Sequence, residues 1–173
     1  WISSFEEERD RPALGYIYGE KYRLAVDAGH SKLHVEEFYA LLKEKGLPLP
    51  DFTVLTHWHW DHTFGMPWIN GSSLAEERTQ AHLLKILSGW GEDSRGKFME
   101  MDEHIALEYA DQDMHVVGAD IVFKEEIGID LGKIRVQCFH VESPHTEDSV
   151  LVLLPEEKIL FFGDCISGKY PDW

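Results

Sequence analysis

Cysteine is scarce in this chain, with Cys138 and Cys165 the only two among 173 residues. That excludes a disulfide-stapled scaffold, and both thiols are expected to be reduced. Basic residues are also scarce, 16 against 32 acidic ones, for a net charge of −16. A phosphate backbone or an anionic membrane surface would be repelled, so neither nucleic acid nor membrane is an expected partner. No apolar run approaches the roughly 20 residues of a membrane-spanning helix. The opening "WISSFEEERDRP" lacks a signal-peptide pattern, so the cytoplasm is the expected location, although a chain without an initiator methionine leaves room for a removed leader. Repeats and low-complexity linkers are absent. What remains is a 43% hydrophobic chain, enough for one packed domain over residues 1–173. Its oligomeric state is left open.

The pattern along the chain is mixed. "ALGYIYG" and "YRLAVDAG" read as strands joined by a tight turn. "SKLHVEEFYALLKEKG" reads as a helix with Ser31 as N-cap and Gly46 as its stop. "FTVLT" is a short buried strand, Asp61 to about Ile69 a short helix, and "SLAEERTQAHLLKILSGWG" a longer one starting at Ser73. Residues 96–111 are helical or irregular. "ADIVFKEE", "IGIDLGKIRVQCFHV", "DSVLVLLP" and "KILFFGD" are strands. Helices between strand-rich halves predict a layered α/β fold.

"LTHWHWDHTFG", Leu55–Gly65, carries the chemistry. In an extended segment alternate side chains share a side. His57, His59 and Asp61 then face one way and Trp58 and Trp60 the other, where the indoles can pack and stiffen the loop. Imidazole plus carboxylate suits zinc and related first-row metals. His62 follows where the chain turns and can serve a second centre. A single histidine is usually solvated or structural, but this density after a buried strand points to a metal site. Two weaker pieces match it: His145 in the loop "VESPHTEDSV", and Asp164 after the apolar strand in "ILFFGDCISG".

With these residues the chain resembles the metallo-β-lactamase-fold hydrolase superfamily. "THWHWDH" matches its H-x-H-x-D-H signature, "VDAGH" its D-x-G turn, "SPHTEDS" the loop of its third histidine, and "FFGDC" the strand end of its bridging aspartate. The resemblance runs from about Ala13 onward. It implies an αββα four-layer sandwich. It implies that His57, His59 and His145 hold a first metal, that Asp61 and His62 hold a second, that Asp164 bridges them, and that Asp27 orients the histidine loop. It also implies zinc, one ion or two, with other first-row metals as alternatives.

The implied activity is hydrolysis of a small-molecule ester, thioester, lactone or amide by a metal-bound hydroxide, with Asp61 orienting the nucleophile. The family's further histidine, after another strand, has no match before Trp173. The expectation is therefore a C-terminally incomplete domain, lacking the final strand and helix, with a weakened second site. One group of true β-lactamases has a cysteine ligand near position 165, but with glycine where Asp164 stands. Aspartate there looks more like the thioesterase and general hydrolase branches, and Cys165 reads as a small buried residue. A redox diiron branch has an acidic residue where His59 sits, which argues against it. A β-lactamase proper and an inactive metal-binding or interaction protein are the alternatives. His30, His34, His82, His104, His115 and His140 are left without a ligand role.

Overall fold

Short strands and helices alternate through the first two thirds of the chain, because each strand has an apolar face on both sides to cover. The computed structural model describes residues 1–168. β1 (Gly15–Tyr18) and β2 (Arg23–Val26) form an antiparallel pair in which Gly15 faces Val26 and Tyr18 faces Arg23. Helix α1 (Lys32–Glu44) then crosses back. Ser31 caps it by accepting from the His34 amide, and Gly46 stops it at φ +68°. β3 (Phe52–Val54), β4 (Ser72–Glu76) and β5 (Ile121–Phe123) add in parallel, giving a sheet of order β1-β2-β3-β4-β5. The connections carry the short helix α2 (Trp60–Thr63), α3 (Glu77–Ser88), α4 (Ser94–Met101) and α5 (Glu103–Glu108).

The second sheet is an antiparallel meander of β6 (Glu126–Asp130), β7 (Arg135–His140), β8 (Val150–Leu154) and β9 (Ile159–Phe161). Val136 and Cys138 alternate with exposed Arg135 and Gln137, and Val150, Val152 and Leu154 repeat the period on β8. These residues meet Leu24, Val26, Val54 and Leu74 of the first sheet in one core. On the other side of the first sheet α1 buries Phe38 and Leu42, and the later helices gather round Trp60, Phe64 and Tyr109. The layers are thus helices, sheet, sheet. This is the expected sandwich, with no helix over the outer face of the second sheet among the described residues. No helix among them is long and apolar enough to cross a membrane.

Two sequence expectations are corrected. Residues 72–76 form a strand, and the helix begins at Glu77 rather than Ser73. Leu74 enters the core between the sheets and Ala75 the helical core behind. A strand buried on both faces shows no alternation, and a run rich in Leu, Ala and Glu favours a helix locally. Pairing on both edges overrides that preference. "IGIDLGKIRVQCFHV" is likewise a hairpin, turning at Gly132 and Lys133, both with positive φ.

Candidate metal centre

The parallel strands point the same way, so the segments leaving them converge on one edge of the sheet, the usual place for a site in such folds. Asp27 leaves β2 in the left-handed region at φ +66°, a strained conformation for an aspartate. The following turn is bound to the histidine loop. The Ala28 amide donates to the His62 carbonyl at 2.9 Å and the Gly65 amide to the Gly29 carbonyl at 2.9 Å. A side chain at Gly65 would place its Cβ 2.0 Å from the Ala28 carbonyl oxygen, so this close approach requires glycine. Thr63 Oγ1 braces the loop by donating to the carbonyls of Trp58 and His59.

Three imidazole nitrogens converge inside it. His59 Nδ1 lies 3.1 Å from His57 Nε2 and 3.0 Å from His145 Nε2. All three residues are at most 5% exposed. The outward nitrogens of two of the rings define the state of the inward ones. Thr56 Oγ1 donates to Asp27 at 2.9 Å and therefore accepts from His57 Nδ1 at 3.1 Å. His145 Nδ1 sits 3.0 Å from the Gly168 carbonyl, which can only accept, and 2.8 Å from Ser167 Oγ. The Nε2 atoms of His57 and His145 therefore carry lone pairs. Burial, with the neighbouring histidines, pushes the His57 pKa well down, and burial brings His59 to about 3. Imidazole nitrogens that face one point fit a cation. Tetrahedral zinc with bonds of about 2.0–2.1 Å would space its donors by roughly 3.3 Å.

A second donor group adjoins the first. Donor atoms of His57, His62 and Asp164 lie within 4.8 Å of one another. His62 Nδ1 donates to Asp27 Oδ2 at 2.8 Å, leaving Nε2 inward and buried. That nitrogen is 3.0 Å from Asp61 Oδ2 and 3.7 Å from Asp164 Oδ1. Asp164 also approaches His145 Nε2, at 3.8 Å, so it lies between the two groups. Burial opposes charge on His62, but Asp61 and Asp27 together raise its pKa well above the usual value. Burial likewise opposes charge on Asp61, yet His62 brings its carboxyl down to about 2. An inward imidazole nitrogen between two carboxylates is a donor set suited to a divalent ion, which would displace the proton that Asp61 and Asp27 favour there.

All seven residues expected from the sequence thus meet in one place. Asp27 touches His62 directly and His57 through Thr56, a contact the sequence did not reveal. Trp60 packs into the helical core, while Trp58 stacks on His82 at 5.2 Å. Cys165 is buried, joins no donor group among the described residues, and has its pKa raised by burial. A cavity of about 820 Å³ opens beside His145, between α3 and the loop after β7, and Trp58, His82, Ile86 and Pro144 contribute to its lining.

Three further neighbours carried no sequence signal. Asp10 comes from the N-terminal segment, and burial followed by the Asp61 charge raises its pKa to about 6. His104, 3.0 Å from Asp102, acts on the same carboxylate. His30 is fully buried and within the electrostatic reach of Asp61.

The fold and this double donor set define a candidate two-metal centre. The family model of the metallo-β-lactamase superfamily matches residues 13–168, and the chain belongs to that superfamily. Among solved structures it is similar to a metallo-β-lactamase from Pontibacter korlensis (TM-score 0.64, 21% identity, covering 94% of this chain and 66% of that one). It is similar to native FEZ-1 metallo-β-lactamase from Legionella gormanii (TM-score 0.58, 17% identity, 82% and 51%). It is also similar to a double mutant of the sec-alkyl sulfatase PisA1 (TM-score 0.62, 13% identity, 88% and 28%). The chain therefore spans 66% or less of the length of these three structures. No curated protein matches it.

Proposed function

We propose that the chain carries the metal centre of a hydrolase acting on a small-molecule ester, thioester, lactone or amide. The observation that carries this reading is the convergence of His57 Nε2, His59 Nδ1 and His145 Nε2 at 3.0–3.1 Å. His57, His59 and His145 would hold one zinc ion, and Asp61, His62 and Asp164 a second. Bound zinc lowers the pKa of water to about 7 and polarises the substrate's acyl oxygen.

The chain's own residues supply the rest. Asp27 holds the hydrogen of His57, through Thr56, and that of His62 on the outward nitrogens, which leaves the inward nitrogens as the ones to meet a metal. Asp61, ionised and beside His62, accepts a hydrogen bond from the attacking water and orients it. Asp164, whose side chain is 39% exposed, stands where the centre meets solvent. The cavity beside His145 has the size of a small-molecule pocket, with Trp58 and Ile86 for an apolar part of the substrate. A β-lactam is one cyclic amide within this class.

Two measurements on the full chain test the proposal. Metal analysis after zinc loading should give at least one equivalent. A panel of a thioester, a lactone, a chromogenic β-lactam and a phosphodiester should show zinc-dependent turnover of one of the first three. Bound zinc without any turnover would leave a metal-binding protein and remove the enzyme reading.

A further inference from the structure

Asp148 is a fully buried carboxylate that belongs to neither donor group. Its Oδ2 accepts from Thr79 Oγ1 at 2.8 Å, and its Oδ1 from Thr146 Oγ1 at 2.7 Å. Both oxygens are thus met by hydroxyls. A carboxylate is an expensive group to bury, and a leucine would fill this place without that cost. What the carboxylate adds is a pair of acceptors that hold two hydroxyls from two segments at once.

Those segments belong to different layers. Thr79 is itself fully buried, in the first turn of α3, which follows β4 directly. β4 pairs with β3, the strand that leads to His57. Thr146 is the residue after His145, in the loop between β7 and β8. His145 must therefore be brought into register with ligands that leave the other sheet. A main-chain tie does part of this, since the Val150 amide donates to the Thr56 carbonyl at 2.7 Å. Within the loop the Ser143 hydroxyl accepts from the His145 amide at 3.1 Å. The tie from Thr146 through Asp148 to Thr79 fixes the loop on its α3 side.

Resting on the metal-centre reading above, we propose that Asp148 is a positioning residue of the first metal site: by tying Thr146 to Thr79 of α3, it holds His145 Nε2 at the spacing from His59 Nδ1 that one ion requires. That spacing is 3.0 Å. Asp148 acts on the donor through Thr146 and the loop backbone. The same tie joins α3 to the loop after β7, the two walls of the cavity beside His145.

The test compares Asp148→Ala, Asp148→Asn and Thr79→Val with the wild type in the full chain. Leu42→Ala, in the separate core under α1, is the control. Zinc affinity is read by competition with a chromophoric chelator. Asp148→Ala should weaken it about 10–100-fold. Thr79→Val, nearly isosteric, removes the hydroxyl at the far end of the tie and should weaken it at least about threefold. Asp148→Asn keeps an oxygen for one hydroxyl and offers an amide hydrogen to the other, so it should stay within about threefold of wild type. Leu42→Ala should lower the thermal midpoint and leave zinc affinity within about twofold. With one equivalent of cobalt, the visible band of Asp148→Ala should differ in intensity from that of the wild type. That band reports coordination geometry, which a loss of stability alone does not alter.

Wild-type zinc affinity in either Asp148→Ala or Thr79→Val overturns the proposal. So does a loss in Leu42→Ala as large as in Asp148→Ala, an Asp148→Asn as weak as Asp148→Ala, or an unchanged cobalt band. If Asp148→Ala does not fold, Thr79→Val decides. A wild-type chain that binds no zinc removes the hydrolase reading and this one together. Zinc binding without turnover removes only the hydrolase reading, and turnover with unchanged affinities in the variants removes only Asp148.

Discussion

His62 Nδ1 donates to Asp27 Oδ2 at 2.8 Å, and Asp27 accepts through its other oxygen from the amide and hydroxyl of Thr56. One buried carboxylate therefore sets the hydrogen positions of His62 directly and of His57 at one remove. Asp27→Asn would present an amide hydrogen to His62 Nδ1 or withdraw an acceptor from Thr56. Metal affinity is expected to fall about 10–100-fold, the usual effect of losing such a partner. Competition with a chromophoric chelator measures it, and unchanged affinity would remove Asp27 from this role.

His59 supplies the central of the three converging nitrogens. His59→Ala should leave the purified chain with well under half the wild-type metal content. Elemental analysis of protein prepared without chelator decides this, and full retention would contradict the assignment.

Asp164 and Cys165 are neighbours with opposite expected roles. Asp164→Asn should reduce occupancy of the second metal and turnover at least tenfold, whereas Cys165→Ser should leave both within twofold. In the cobalt-substituted chain no strong thiolate charge-transfer band is expected. A band that vanishes in Cys165→Ser would move the assignment toward the cysteine-ligated branch.

Arg11, 3% exposed, reaches the fully buried Glu108 carboxylate through two nitrogens, at 2.9 and 3.0 Å. Burial opposes the charge on Glu108, but Arg11 and Ser31 hold its pKa below the usual value. A depressed carboxyl stabilises the fold above its unfolded pKa, near 4.3. That contribution is lost as pH falls through the folded value. Glu108→Gln should cost on the order of 3 kcal/mol at pH 7, with the gap to wild type narrowing below about pH 4. Urea unfolding at pH 7 and pH 3.5 checks the sign, and a gap that widens in acid would refute it.

Gly71 sits at φ +77°, where an added Cβ would lie 2.0 Å from the Asp51 carbonyl oxygen. Gly71→Ala should lower stability by about 1–3 kcal/mol, because it forces both the backbone and the β3–β4 connection. A thermal midpoint within a degree of wild type would show that the loop yields freely.

The clustering of the candidate donors was legible in the sequence because metal chemistry restricts residue type and spacing together. His57, His59 and His62 are adjacent in the chain, and α1 was legible from Ser31 and Gly46. What stayed hidden depends on contacts between distant segments. β4 could not be told from a helix start, since both faces of Leu74–Ala75 are covered by segments far away in sequence. Asp10 lies on an N-terminal segment that is tied down by Glu108, some hundred positions later. Neither residue type nor local pattern encodes such a reach.

The donors of the first group come from both layers. His57 and His59 follow β3 of one sheet, and His145 lies between β7 and β8 of the other. An ion bound there acts as a rivet through the sandwich. The sheets cannot part while it is held, so its binding free energy becomes resistance to unfolding, growing as RT ln(1 + [L]/Kd). At free zinc about 100-fold above Kd that is about 2.7 kcal/mol, and a chelator would withdraw mechanical cohesion along with any chemistry.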